Sequence, residues 1–99
     1  MIRTFANKAT AAVFCGRYVS TLPRHIQATA FRKLGLLDAA ASLTDMQAPP
    51  ANRLEALRGV RRGQWSIQIH NQWRICFRFQ NGEAWDVDIA DYHRQPEPA

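Results

Sequence analysis

The chain has 99 residues, 46% of them apolar, with three Trp and five Phe, which supports one hydrophobic core and one domain. A formal net charge of +5 and an isoelectric point near 10.0 direct attention to anionic partners. Two cysteines at no repeated spacing, Cys15 and Cys76, exclude a disulfide framework and suit a reducing cytosol, and with no apolar run of signal-peptide or membrane-span length the chain is expected to be cytoplasmic, with no membrane partner.

Met1 to Phe5 reads as a short extended opening anchored by Ile2 and Phe5. An Ala-rich first helix is expected from Asn7 to Tyr18, with Ala9, Ala12 and Val13 on one side. Pro23 opens a second helix, because proline is favoured in a first turn. There Ile26, Ala30, Leu34, Leu37 and Ala41 recur at helical spacing and form one apolar stripe. Thr44 to Asn52, with Pro49 and Pro50 in it, is a loop that the interior of a helix or strand would not tolerate.

Beyond the loop the period becomes two. Trp65, Ile67 and Ile69, then Trp73, Ile75, Phe77 and Phe79, then Trp85, Val87 and Ile89 each alternate with polar or small residues. Three half-buried strands in succession make an antiparallel meander with one apolar face. Parity sets the register. A two-residue Asn81–Gly82 turn would place Phe77 opposite Asp86 and mix the faces. An odd loop, Gln80–Asn81–Gly82, instead pairs Phe77 with Trp85 and Arg74 with Asp88, and His70–Asn71–Gln72 serves the preceding hairpin in the same way. The fold class is therefore α+β: two N-terminal helices packed on one face of a twisted antiparallel sheet. Ser66, Gln68, Arg74, Cys76, Arg78, Asp86 and Asp88 lie on the other face, where function is to be sought. One domain spans 1–93, and 94–99 forms a short tail.

The basic residues are of one kind and unevenly placed. Eleven of thirteen are Arg, whose planar fork grips phosphate and stacks on bases. Residues 1–82 hold twelve basic and three acidic side chains, whereas 83–99 hold one and five. No His, Cys and Asp set has metal-ligand spacing, so no cofactor or metal is expected. Neither cysteine is expected to be a nucleophile: Cys15 lies in the Ala-rich helix with no nearby His, and Cys76 reads as a small strand residue. His25 and His70 read as surface residues of a first turn and a hairpin loop.

The stretch LEALRGVRRGQWSIQIHNQWRICFRFQNGEAWDVDIADYH, residues 54–93, closely resembles the HigB toxins of host-inhibition toxin–antitoxin modules, in the RelE/ParE superfamily. The G-x-W-S-I strand, the N-x-W-R-I-x-F strand and the terminal D-Y-H carry the resemblance, and the opening MIRTFANK and the Ala-rich helix extend it over nearly the whole chain. It implies a RelE-like fold, a HigA-like helix-turn-helix antitoxin as partner, cleavage of mRNA in the ribosomal A site, and contact with promoter DNA only through the antitoxin complex. It also implies that Asp91, Tyr92, His93 and Arg74 form the active region. Relatives carry a His and a Lys ahead of the G-x-W-S-I strand, where this chain has Glu55 and Arg58. Arg58 keeps the charge, whereas Glu55 replaces an imidazole by a carboxylate.

Metal-free cleavage of RNA requires deprotonation of the 2′-OH, in-line attack on phosphorus, stabilisation of phosphoryl charge and protonation of the 5′-oxygen. Histidine suits proton transfer near neutral pH, so His93 is the expected acid or base, with Asp91 to orient it. Tyr92 offers a phosphate contact or a stacking ring. Arg74 and Arg58 are the expected phosphate clamps, and Arg61, Arg62 and Arg78 an outer RNA-binding rim. Two rival readings are a non-catalytic inhibitor of DNA gyrase, as in ParE toxins, and a corepressor acting only with its antitoxin.

Overall fold

The computed structural model describes residues 1–92; His93 and the expected tail 94–99 lie outside the described residues. Helix α1, Lys8–Phe14, begins where Asn7 Oδ1 accepts from both the backbone N–H and the hydroxyl of Thr10, each at 2.8 Å, satisfying donors that a helix start leaves open. It stops four residues short of the expected Tyr18. Gly16 takes φ 83° there and returns its N–H to the Val13 carbonyl, a left-handed exit that glycine supplies at little cost. Helix α2, Arg24–Ala39, follows Pro23, whose φ of −58° suits a helix entrance.

The α2 stripe is buried at Ile26, Ala30, Leu34 and Leu37, but its fifth member is Ala40 and not Ala41. The helix ends at Ala39 and Ala40 is extended, so helical spacing no longer applies. Gln27, also buried, holds the connection between the helices, accepting from Val19 N–H at 2.9 Å and donating to the Val19 and Leu22 carbonyls. The Thr44–Asn52 loop consists largely of two 3-10 turns, Leu43–Gln47 and Pro50–Asn52, through which Met46 and Asn52 plug the core.

The sheet has four antiparallel strands in sequence order: β1 Glu55–Ala56, β2 Trp65–His70, β3 Trp73–Gln80 and β4 Glu83–Asp91. β1 is one strand more than the alternation predicts, since two residues cannot show a period. Both hairpin loops differ from expectation. Gln80 stands opposite Glu83 and His70 opposite Trp73, so each loop has two residues, Asn81–Gly82 and Asn71–Gln72. Asn81 and Gly82 both take positive φ, 53° and 76°, the signature of a type I′ turn.

The odd residue that parity demands is placed in the strands. Between Cys76 and Arg78 the register of β3 on β4 shifts by one, and Asp86 takes φ 54° at that bulge. A second shift lies between Gln68 and His70. Below the bulge, Arg78 stands opposite Trp85 and Phe79 opposite Ala84; above it, Cys76 stands opposite Asp88 and Arg74 opposite Ala90. The expected pairs Phe77–Trp85 and Arg74–Asp88 are therefore not formed. Trp85 leaves the apolar face, where Ala84 takes its place with Val87 and Ile89.

Ile67, Ile75, Phe77 and Val87, all fully buried, meet the α2 stripe in one core. The chain's first residues cover the β4 edge in parallel register, through Ile2 opposite Ala84 and Phe5 opposite Val87. That pairing hides an otherwise open sheet edge. Among the described residues no helix is long and apolar enough to cross a membrane.

The bulge yields a direct test. Asp86→Gly and Asp86→Val both lose the Arg78 partner, but only valine must enter the left-handed region with a branched side chain. Urea unfolding should place Asp86→Val about 1–2 kcal/mol below Asp86→Gly.

Candidate active site

Register across the four strands builds one row on the face away from the helices: Glu55 opposite Ser66, Ser66 opposite Cys76, Cys76 opposite Asp88. The two inner members, Ser66 and Cys76, are fully buried, and Leu57, Ala90 and Tyr92 pack with Cys76 in a second small cluster. This polar face is thus a covered floor with ionic ends, not an open solvent face. Burial pushes the Cys76 thiol up to about 11, with Asp88 raising it further against the opposing pull of Arg61 and Arg74. The floor is neutral at physiological pH.

An arginine clamps each end of the row. Arg74 Nη2 lies 2.9 Å from Glu55 Oε1, and its Nη1 donates to Ser66 Oγ at 3.2 Å. Its guanidinium carbon stands 5.9 Å from the centre of the Tyr92 ring, within range of cation–π attraction. The Arg74 side chain is 15% exposed and that of Glu55 52%. The cation is thus seated and the carboxylate stands at the rim. At the other end Arg61 Nη2 donates to Asp88 Oδ2 at 3.0 Å, and Asn7 Nδ2 to Asp88 Oδ1 at 2.8 Å. Asp88, expected beside Arg74, is instead the partner of Arg61 and of the α1 cap.

A cleft of about 170 Å³ opens beside the Arg74 end, lined by Glu55, Ala56, Leu57, Arg58 and Tyr92. The structure therefore gathers Arg74, Tyr92, Arg58 and Glu55 in one place. Tyr92 is fixed there by its backbone N–H, which donates to the Gln72 carbonyl at 2.8 Å. Asp91 stands opposite Trp73, and Trp73 packs against the main core, so alternation turns Asp91 toward the face opposite that of Ala90 and Arg74. Arg62 is exposed. Arg78 lies further along β3, 3.3 Å from Asp86, and packs so closely over Gly63 that a Cβ there would come within 2.9 Å of Nη1.

Two partnerships in this arrangement carried no sequence signal. Ser66 is an ordinary polar strand residue until a folded guanidinium reaches it. The Glu55–Arg74 pair depends on β1, which is too short to read from its residues. A second concavity of about 350 Å³ lies between the helices, lined by Val13, Gly16, Arg17, Tyr18, Gln27, Ala28 and Phe31; its lining has no carboxylate or imidazole. The His25 and His70 rings meet edge to face at 5.3 Å, beside the β2–β3 hairpin. No group of three or more His, Cys, Asp or Glu among the described residues is arranged to hold a metal ion.

Comparison with known proteins adds relatives to this geometry. Residues 4–93 match the family described as RelE-like toxin of type II toxin–antitoxin system HigB. Toxin HigB-1 of Vibrio cholerae serotype O1 is 41% identical over 73 residues, covering 74% of this chain and 76% of that protein. Endoribonuclease HigB of Proteus vulgaris is 31% identical over 93 residues, 94% of this chain and all of that one.

The two thiols should separate the covered floor from the surface. Cys15 is exposed and Cys76 buried, and the thiolate is the reactive form. A thiol reagent at neutral pH should label the native chain once, at Cys15, and a second time only on unfolding. Cys15→Ser should remove the native label entirely.

Proposed function

The chain belongs to the HigB family of RelE-like toxins of type II toxin–antitoxin systems, and from that premise we propose that it is a ribosome-dependent endoribonuclease that cleaves messenger RNA without a metal ion. The observation that carries this reading is the seated Arg74 guanidinium, held by Ser66 and facing Tyr92 and Glu55, two residues that line a cleft together with Arg58. A cation fixed before substrate arrives stabilises developing phosphoryl charge with little reorganisation. The relative from Proteus vulgaris bears the name of an endoribonuclease, which supports the same chemistry.

In this reading the RNA lies along the cleft with its scissile phosphate against Arg74 and Arg58. The Tyr92 ring stacks a base or its phenol touches the phosphate. A proton leaves the ribose 2′-OH as its oxygen attacks phosphorus, and the 5′-oxygen departs with a proton. His93, the next residue along the chain, handles one of those transfers, and Asp91, turned from Arg74 by the alternation of β4, contributes its charge at the strand end and no phosphate contact. The products are a 2′,3′-cyclic phosphate and a free 5′-hydroxyl. Arg62 and Arg78 widen the electrostatic footprint, and Arg61 contributes through the Asp88 end of the floor.

A type II toxin is partnered by an antitoxin. We assign that partner to the HigA-like helix-turn-helix class, with an acidic contact surface to match the charge of +5. Promoter DNA is then met only through the complex. The site of action is the ribosome in the cytoplasm, and residues 1–93 act as the single toxin domain, ahead of a tail at 94–99.

Cleavage of mRNA on purified ribosomes tests the proposal. Arg74→Lys keeps the charge but loses the fork, and should lower the cleavage rate about 10²-fold. His93→Ala should lower it roughly 10²–10⁴-fold. A 2′-deoxy nucleotide at the cleaved position should stop the reaction. Cutting of that substrate, or full activity of the His93→Ala protein, would sink the mechanism. Growth arrest with intact mRNA would transfer the case to gyrase inhibition.

A further inference from the structure

We infer that Glu55 is an internal occupant of the phosphate site: its carboxylate holds the guanidinium that an RNA phosphodiester must take, so substrate entry is an exchange of anions at Arg74. The inference rests on the reading of Arg74 as a phosphate ligand and adds a residue that restrains it.

The geometry of the fork carries the argument. Both terminal nitrogens of Arg74 are engaged, Nη2 by the Glu55 carboxylate at 2.9 Å and Nη1 by the Ser66 hydroxyl at 3.2 Å. A phosphodiester that grips this guanidinium through two parallel hydrogen bonds takes two of its five N–H groups, and the Glu55 carboxylate holds one on the side of the cleft that it lines. The two partners differ in how firmly they are held. Ser66 is fully buried in the middle of the row. Glu55 is on a two-residue edge strand, with over half of its side chain in water. Its release leaves a hydrated carboxylate and no buried charge, whereas withdrawal of Ser66 would strand a buried hydroxyl. Arg74 cannot easily follow the departing partner, since it is mostly buried and its guanidinium faces the Tyr92 ring. The carboxylate therefore moves and the cation stays.

Chemistry points the same way. A carboxylate and a phosphodiester each bear one negative charge and present two oxygens at similar spacing, so they compete for one cation. Glu55 also lines the cleft itself. Once displaced it stays near the bound phosphate, and its charge opposes retention of the RNA. The pair thus weakens binding of the free toxin to RNA and makes occupancy depend on a substrate anchored by other contacts, such as mRNA already threaded on a ribosome.

A mutant cycle on binding tests this without catalysis. The probe is a fluorescent single-stranded oligonucleotide with 2′-deoxy sugars, followed by anisotropy at low and constant ionic strength. Glu55→Gln, at an exposed position, should bind roughly two- to fivefold more tightly than wild type, the range that an exposed ion pair supports. Arg74→Gln should weaken binding, and adding Glu55→Gln to it should then change little. Equal tightening with and without Arg74 would mean that Glu55 acts only through the general field, and would overturn the exchange. Unchanged or weaker binding by Glu55→Gln would overturn it too, and a large loss of cleavage with unchanged binding would make the carboxylate a proton acceptor instead. If Arg74→Gln leaves binding unaltered, the phosphate assignment of Arg74 fails first and the inference with it.

Discussion

Asp86 and Val87 of β4 together face the single residue Phe77 of β3, and the side of the sheet reached by each later β4 side chain follows from that. Without the extra residue, Val87 and Ile89 would turn from the helices, and Asp88 and Ala90 would enter the core, because a one-residue slip inverts a strand. With it, Val87 and Ile89 fill the core and Asp88 completes the polar row. The chain's opening residues hold the bulge in place. Thr4 Oγ1 accepts from the Asp86 N–H at 2.8 Å, and the Thr4 carbonyl from Val87 N–H at 3.1 Å. The bulge and the N-terminal segment are one device, and each satisfies backbone groups that the other leaves open.

Much of the fold is legible in the chain because burial writes itself as periodicity. Ile26, Ala30, Leu34 and Leu37 announce one face of α2, and Ile67, Ile75, Phe77 and Val87 announce the inner face of the sheet; all are buried together. Parity correctly demands an odd residue at each hairpin, but a count cannot tell a longer loop from a bulge. A glycine at position 86 would have marked the site, since glycine is the usual occupant of a left-handed bulge position. Aspartate tolerates that conformation without advertising it. Trp85 looks like core by its size and phase, yet below the bulge it stands beside Arg78, with Arg3 over its ring at 5.9 Å.

For the candidate site, residue types were legible and partnerships were not. An Arg-rich polar face and a terminal D-Y-H direct attention to Arg74 and Tyr92, which the fold brings together. The choice of carboxylate depends on register. The bulge sets Ala90 beside Arg74 and moves Asp88 one row on, where Arg61 reaches it. Ser66 and Cys76 look solvent-facing by alternation but are fully buried, and for Cys76 part of the cover is Leu57, which the segment after β1 brings against it. Such cover comes from a distant, irregular stretch, and no local pattern encodes it.

The covered floor explains how a small, strongly basic chain keeps two guanidiniums in place without mutual repulsion. Arg74 and Arg61 each meet one carboxylate, Glu55 and Asp88, across a neutral serine and a thiol that burial keeps protonated. Each end of the row is nearly balanced, so its outward field is weak while both pairs persist. The two pairs are not equivalent. Asp88 is mostly buried and is held from two sides, by Arg61 and by the cap of α1; breaking that pair would strand a charge away from water, which is costly. Glu55 meets Arg74 from an open rim, with over half of its side chain in water. Positive potential at the cleft is therefore released at one end of the row only, and the end that yields is the one where Tyr92 and Arg58 already stand.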